Sequence, residues 1–182
     1  MRESWKWRFF FSALVVIFVG SFLHFAWELS GRVSLVAVFA AVNESTWEHL
    51  KLAFWPALAL TPFQRKIYGP LPGWLPAIAI RCTLPSFLIV ALFYGYTALL
   101  GHHHFTVDIA IFACAVFAGE WLGHAALYGC FGSCAKKCAL GFLLLEAVLF
   151  STLTFRPPDF FLFRDPQASV LPGVASLAKL HL

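Results

Sequence analysis

Four ionisable side chains stand close together in an otherwise apolar part of the chain. The stretch AVNESTWEHLK, residues 41–51, contains Glu44, Glu48, His49 and Lys51. Only nine acidic residues occur in the 182-residue chain, and two of them fall here. Carboxylates beside an imidazole are suited to holding a divalent cation and to moving protons. The stretch is therefore the first candidate for a functional site.

A second pair precedes this stretch at the end of the first apolar run. His24 and Glu28 are four residues apart, so a helix places them on one face. Neutral imidazoles and carboxylates are ligands that zinc and other divalent metals accept. We predict His24, Glu28 and His49 as the metal ligands. We predict Glu48 or Glu44 as the general base that would activate a metal-bound water.

A purely structural interpretation of the same residues stays open. Ser45-Thr46-Trp47-Glu48 matches a capping box, in which Ser45 is the N-cap and Glu48 reaches back to it. Glu44 near the helix start would also favour the helix dipole. Capping leaves His49 and Lys51 unexplained, so the pattern favours neither interpretation.

Further ionisable residues fall deeper within apolar runs. Glu120 and His124 share a helix face, and Glu146 and Arg81 lie within neighbouring runs. An ionisable side chain inside a membrane is a functional hypothesis by default. Glu120, His124 and Glu146 form the alternative hypothesis, a proton relay in a carrier, which a homodimer would accommodate. In a third hypothesis the protein is a non-catalytic scaffold, and these residues, with Lys51, serve only packing. Arg81 is expected to pair with Glu146 or to reach the membrane surface.

Composition places these residues in a membrane protein. The chain is 60% hydrophobic and 12% charged, with a mean hydropathy of +0.79. A soluble domain carries about twice that share of charge. The basic residues form short clusters between apolar runs, which is typical of membrane topology and argues against nucleic-acid binding. The lipid bilayer is therefore the expected partner, and the composition leaves open whether the protein is an enzyme.

The apolar runs predict an all-α membrane bundle of about five transmembrane helices. A membrane-spanning helix needs about 20 apolar residues. The segment 33–42 is too short to cross and is expected to be re-entrant or a half-helix. Residues 1–155 would form one domain, and the Pro-rich residues 156–182 an extramembrane tail. The predicted spans are 9–27, 46–64, 74–99, 107–128 and 138–155.

The distribution of basic residues predicts the orientation. With the N-terminus inside, seven basic residues fall in inside segments and four in outside segments, which favours an N-in and C-out topology. The inside residues are Arg2, Lys6, Arg8, Arg65, Lys66, Lys136 and Lys137, and the outside residues are Arg32, Arg156, Arg164 and Lys179.

Three motifs carry a resemblance to a known family. LHFAWELSG (23–31), FAAVNESTWEHLKLAFWPAL (39–58) and FRPPDFFLFRDP (155–166) resemble segments of the domain-of-unknown-function 6512 family. That resemblance implies a small multi-span protein of the bacterial inner membrane. It implies no activity, substrate or cofactor. The metal, such as zinc, and the expected hydrolysis or transfer on a lipid-like substrate rest on the residues alone.

Overall fold

The computed structural model describes residues 2–165, and this part of the chain consists of helices without β-strands. The all-α prediction is confirmed. A 3-10 turn, Phe161–Phe163, follows the last helix. The helices are α1 (Arg2–Leu29), α2 (Ser34–Ala37), α3 (Thr46–Tyr68), α4 (Trp74–Leu100), α5 (Phe105–Ala126) and α6 (Ser133–Leu153).

Within residues 2–165, three helices are long and apolar enough to cross a membrane, fewer than the five that the sequence predicts. The other two long helices have the length but carry more polar residues. α3 contains Glu48, Lys51 and Gln64. α6 contains Lys136, Lys137 and Glu146. The three apolar segments are Trp7–Leu29, Trp74–Leu100 and Phe105–Ala126.

α3 packs between α1 and α4, and its Phe54 also meets Phe150 of α6. Its apolar residues Ala53, Phe54 and Ala57 are buried in the main core. α1 approaches α3 closely at Gly20, where a Cβ atom would stand 2.4 Å from the carbonyl oxygen of Leu52. The polar side chains Glu48, Lys51 and Gln64 of α3 are buried among these helices.

Contacts between helix ends show how the chain runs. Thr46 at the start of α3 hydrogen-bonds Tyr94 near the end of α4. Gln64 near the end of α3 donates to Ser12 in the first half of α1. Neighbouring helices are therefore antiparallel, and the bundle has two ends. The "His24 end" carries the last turns of α1, α4 and α6 and the start of α3, and the "opposite end" carries the start of α1.

The segment 33–42 forms only one helical turn, α2, followed by irregular chain. Ala37 and Ala40 are buried against the bundle. The expected half-helix is thus a short, packed connection between α1 and α3. After α6 the chain returns over the His24 end, where Phe163 packs on Trp47 with ring centroids 4.7 Å apart. Residues 166–182 of the predicted tail lie outside the described part of the chain.

Candidate metal centre

Two histidines and one carboxylate converge at the His24 end. His24 comes from α1, Glu44 from the α2–α3 connection and His49 from the first turns of α3. The Nε2 atoms of His24 and His49 are 3.2 Å apart. Glu44 Oε2 lies 3.6 Å from His24 Nε2 and 3.5 Å from His49 Nε2. Three potential ligand atoms therefore share one small space.

These separations match those of ligands around one small cation. Bonds of about 2.0–2.1 Å in a tetrahedral zinc site place neighbouring ligand atoms roughly 3.3 Å apart. The three observed separations in the cluster lie close to that value. Two imidazoles and one carboxylate are also the ligand set of a known class of catalytic zinc site, which keeps its fourth position for water or substrate.

A backbone contact orients the ring of His49. Its Nδ1 atom lies 2.9 Å from the carbonyl oxygen of Ser45. A carbonyl oxygen only accepts hydrogen bonds, so Nδ1 must carry the proton and donate it. In the neutral ring, Nε2 then presents its lone pair toward His24 and Glu44. This is the arrangement in which a histidine ligand is usually held by its second nitrogen.

His24 is held mainly by ring packing. Its ring centroid lies 4.9 Å from that of Phe25 and 5.1 Å from that of His49. Within residues 2–165 its Nδ1 atom is buried without a hydrogen-bond partner. His24 therefore lacks the contact that orients His49, and its position depends on its neighbours.

Two contacts shape the loop that presents Glu44. The side-chain oxygen of Asn43 accepts a hydrogen bond of 2.9 Å from the Ser45 amide. The Glu44 amide donates to Asp165 Oδ2 at 3.4 Å. Asp165 lies 121 residues further along the chain, in residues 154–165 after α6 (the "returning segment"). This segment therefore helps to hold the loop that carries Glu44.

Glu28 lies apart from this cluster. Its carboxylate pairs with Arg32, one turn later, at 3.2 Å. Both side chains are about two-thirds exposed, at 65% and 69%. The cluster thus takes its carboxylate from Glu44, and Glu28, predicted as a ligand, is occupied by an exposed ion pair.

Glu48 and Lys51 form a buried ion pair. Lys51 Nζ is 2.6 Å from Glu48 Oε2, and also donates to the Ala37 carbonyl at 2.7 Å. The Val42 amide and the Thr154 hydroxyl donate to Glu48, both at 3.1 Å. Both side chains are buried, and these bonds join the α2–α3 connection to the end of α6. Glu48, predicted as a base, has its carboxylate fully engaged.

The predicted capping box is absent from the start of α3. Ser45 is the N-cap, as expected, but its side chain makes no capping hydrogen bond. Glu48 turns away from the Ser45 amide because Lys51 and Val42 bind its carboxylate instead. The structural interpretation of this motif was therefore right about the helix boundary and wrong about the bonds.

Deeper polar residues form a second cluster toward the opposite end. Arg81 donates to the Gln64 side-chain oxygen and lies 3.5 Å from Glu120. Gln64 also donates to Glu120 at 3.4 Å. All three are buried. A glycine at 123 makes room, since a Cβ atom there would stand 2.4 Å from Arg81 Cγ.

Glu146 lies in a separate contact. The Ser86 hydroxyl donates to Glu146 at 2.7 Å, so its partner is a serine and not Arg81 as predicted. His124 is buried, with its ring 5.1 Å from that of Tyr68. The carboxylates predicted as one relay thus make separate contacts. Glu146 on α6 is bonded to Ser86 on α4, and Glu120 contacts Arg81 and Gln64.

Sequence reasoning missed the uncharged partners of these ionisable groups. Thr154, Gln64 and Ser86 each complete a polar contact inside the bundle. Hydroxyl and amide side chains within apolar helices are common, and their spacing alone does not reveal a partner on another helix. Gln64 is the exception, because a long amide side chain within the predicted second span indicates a polar contact inside the bundle.

Comparison with protein families agrees with the resemblance of the three motifs. A family model described as "Family of unknown function (DUF6512)" matches residues 1–170. Comparison with curated proteins and with solved structures finds no match. The match covers the α-helices, the candidate metal centre and the returning segment. The chain therefore belongs to the DUF6512 family.

Proposed function

We propose that this protein is a membrane metalloprotein that binds a divalent cation, such as zinc, through His24, Glu44 and His49. The observation that supports this most strongly is the set of separations among the three ligand atoms, 3.2–3.6 Å. Two neutral imidazoles and one carboxylate would leave a zinc complex with one net positive charge. Such a charge attracts an anionic group to the open position.

The reaction we propose is metal-assisted hydrolysis or transfer on a lipid-like substrate. A bound divalent ion lowers the pKa of its water and polarises a carbonyl or phosphoryl oxygen. His24, Glu44 and His49 would hold the ion, and Asp165 brings a further carboxylate to the Glu44 loop. Because Glu48 is bound by Lys51, we assign it to the support of this site and not to proton transfer.

We also propose that α3 and α6 cross the membrane together with the three more apolar helices. α3 has 23 residues and α6 has 21, about 34 and 31 Å at the rise of an α-helix. Their polar side chains mostly contact other helices, as for Lys51 with Thr154 and Ser86 with Glu146. The metal centre would then lie near one membrane face, which the basic residues predict to be the outer one.

Metal content tests the proposed site. The protein purified in detergent is loaded with zinc, dialysed and measured by elemental analysis, in parallel with His24→Ala, Glu44→Gln and His49→Ala. We expect about one zinc per wild-type chain and at least a tenfold weaker affinity in each variant, since each loses one of three ligands.

Glu28→Ala is the matched control, because Glu28 lies one turn from His24 and was itself predicted as a ligand. Its zinc affinity should equal that of the wild type. The proposal fails if the wild type holds no zinc, cobalt or manganese above a metal-free blank. It also fails if Glu28→Ala loses the metal while Glu44→Gln keeps it.

A further inference from the structure

An apolar groove lies beside the metal centre, between α1, the α2–α3 connection and α3. Its volume is about 350 Å³, at the lower end of ligand-pocket volumes. Val19 and Leu23 of α1 form one wall, and Phe39 forms the second. Trp55, on α3, packs edge-on against Phe39 with ring centroids 5.0 Å apart. Every side chain in the lining is apolar or aromatic.

Along α1 the lining of the groove starts one residue before His24, and along α3 it starts at Trp55, six residues after His49. Leu23 directly precedes His24 in α1. On α3 the groove extends as far as Ala59, ten residues after His49. Ten residues of α-helix span about 15 Å. The lining residues thus extend from the level of His24 toward the middle of the bundle.

The depth of the site in the bilayer suits a lipid. The apolar segment of α1 ends at Leu29, five residues or about 8 Å after His24. The headgroup layer of a bilayer is roughly 5–8 Å thick on each side. Because an apolar segment ends where the headgroup layer begins, His24 would lie about 8 Å below that layer, in the outer part of the hydrocarbon, and the groove continues inward from there.

The groove also opens toward lipid and contains no polar partner. Val19 and Phe39 in its walls are more than a third exposed, and Phe18 and Phe22 of the same helix are largely exposed. The indole nitrogen of Trp55 is buried without a hydrogen-bond partner within residues 2–165. An aliphatic chain fills such a space without leaving a polar group of its own unpaired.

We infer that this groove binds one acyl chain of a membrane phospholipid, whose phosphate lies at the metal centre. This rests on the proposed function, because the metal is what would hold the phosphate. The single chain follows from the groove volume of about 350 Å³, and the anionic headgroup follows from the net charge of a zinc ion bound by His24, Glu44 and His49. The second acyl chain would remain in the bilayer.

Photocrosslinking tests the inference directly. The full chain is placed in nanodiscs that contain a phosphatidic acid with a diazirine on one acyl chain, irradiated and analysed by peptide mass spectrometry. We expect adducts on the groove residues Leu23 and Trp55 to exceed those on Trp121, which is half exposed on α5 and reports ordinary surrounding lipid. Ala59→Phe and Val19→Phe, which fill the groove, should reduce the groove adducts at least fivefold and leave the Trp121 adduct unchanged.

Zinc content measured on the same samples separates the two proposals. Groove adducts that match the Trp121 level, or that survive both filling variants, overturn the acyl-chain site even when zinc is bound. Groove adducts in a protein that binds no metal overturn the placement of the phosphate and the proposed function with it. A groove adduct that becomes stronger with zinc in the wild type, but not in His49→Ala, supports the complete inference.

Discussion

The contacts of single atoms decide which ionisable residues of the opening stretch are available for chemistry. His49 gives one nitrogen to the Ser45 carbonyl and keeps the other for the cluster. Lys51, two residues later, is fully buried against Glu48 and the Ala37 carbonyl. The stretch thus contains a candidate ligand and a structural ion pair within the first two turns of α3. The composition of the stretch does not separate these two roles.

We predict that Lys51→Met destabilises the protein much more than it changes zinc binding. Removing one partner of a buried ion pair leaves the other charge uncompensated, which costs about 3–5 kcal/mol. Thermal unfolding in detergent, followed by circular dichroism, should show a clearly lower Tm. The double variant Glu48→Gln, Lys51→Met should recover part of this loss, because no buried charge then remains.

Arg32→Ala is the matched control for this ion-pair prediction. It breaks the exposed Glu28–Arg32 pair at the same end of the bundle, and exposed pairs contribute about 0–1 kcal/mol. Equal Tm losses for Lys51→Met and Arg32→Ala would contradict the structural role of the buried pair.

At the scale of helices, small residues set how closely α4 and α5 approach. Gly119 and Gly123 lie one turn apart on α5, and a Cβ atom at Gly119 would come within 2.8 Å of Pro85 Cγ. Small residues four apart are a common way for membrane helices to pack closely. Here they also leave space for the Arg81 side chain, which joins Gln64 on α3 and Glu120 on α5. Packing and polar contact therefore depend on the same surface of α5.

We expect Gly123→Ala to lower the Tm, because its methyl group would collide with Arg81 and stand 2.9 Å from the Ala77 carbonyl oxygen. Overpacking of this kind costs about 1–3 kcal/mol. Gly141→Ala on α6 serves as the control, since a Cβ atom there meets nothing within 4 Å. That variant should be as stable as the wild type or slightly more so. A loss in Gly141→Ala as large as in Gly123→Ala would contradict the packing argument.

At the scale of the whole molecule, the candidate metal centre and most of the basic residues lie at opposite ends of the bundle. The candidate metal centre lies at the His24 end with the returning segment, and the basic residues Arg65, Lys66, Lys136 and Lys137 lie near helix termini of the opposite end. The positive-inside rule then predicts that the metal centre faces outward. The orientation and the number of crossings are both open to a labelling experiment.

Cysteine labelling checks this topology. Cys130 lies in the α5–α6 connection at the opposite end, and Asp159 lies after α6 at the His24 end. Two variants are needed, one that keeps only Cys130 and one that carries only Asp159→Cys. An impermeant maleimide added to intact cells should label the cysteine at 159 and label Cys130 only after permeabilisation. The reverse pattern contradicts the orientation, and labelling of both in intact cells contradicts an odd number of crossings between the two positions.

The sequence by itself predicted most of the helices of this protein and the apolar character that suggests membrane association. Apolar runs of sufficient length produce helices in a membrane because the backbone must satisfy its own hydrogen bonds there. The third predicted span, 74–99, for example, corresponds to α4, observed at Trp74–Leu100. The motifs also sufficed to identify the family. Helix position and family motifs depend on residues that are close together in the sequence. They can therefore be predicted without knowing which helices pack against each other.

Only the tertiary structure decided which polar residues meet. Glu28 was the predicted ligand and Glu44 a predicted base, but the connection after α2 brings Glu44 to the histidines while Arg32 binds Glu28. Arg81 contacts Glu120 and Gln64, because Gly123 of α5 leaves room for the Arg81 side chain beside it. A polar contact between two helices depends on how each helix is rotated about its axis and on how far it is shifted along that axis. Periodicity along one helix carries no information about those two quantities on the next.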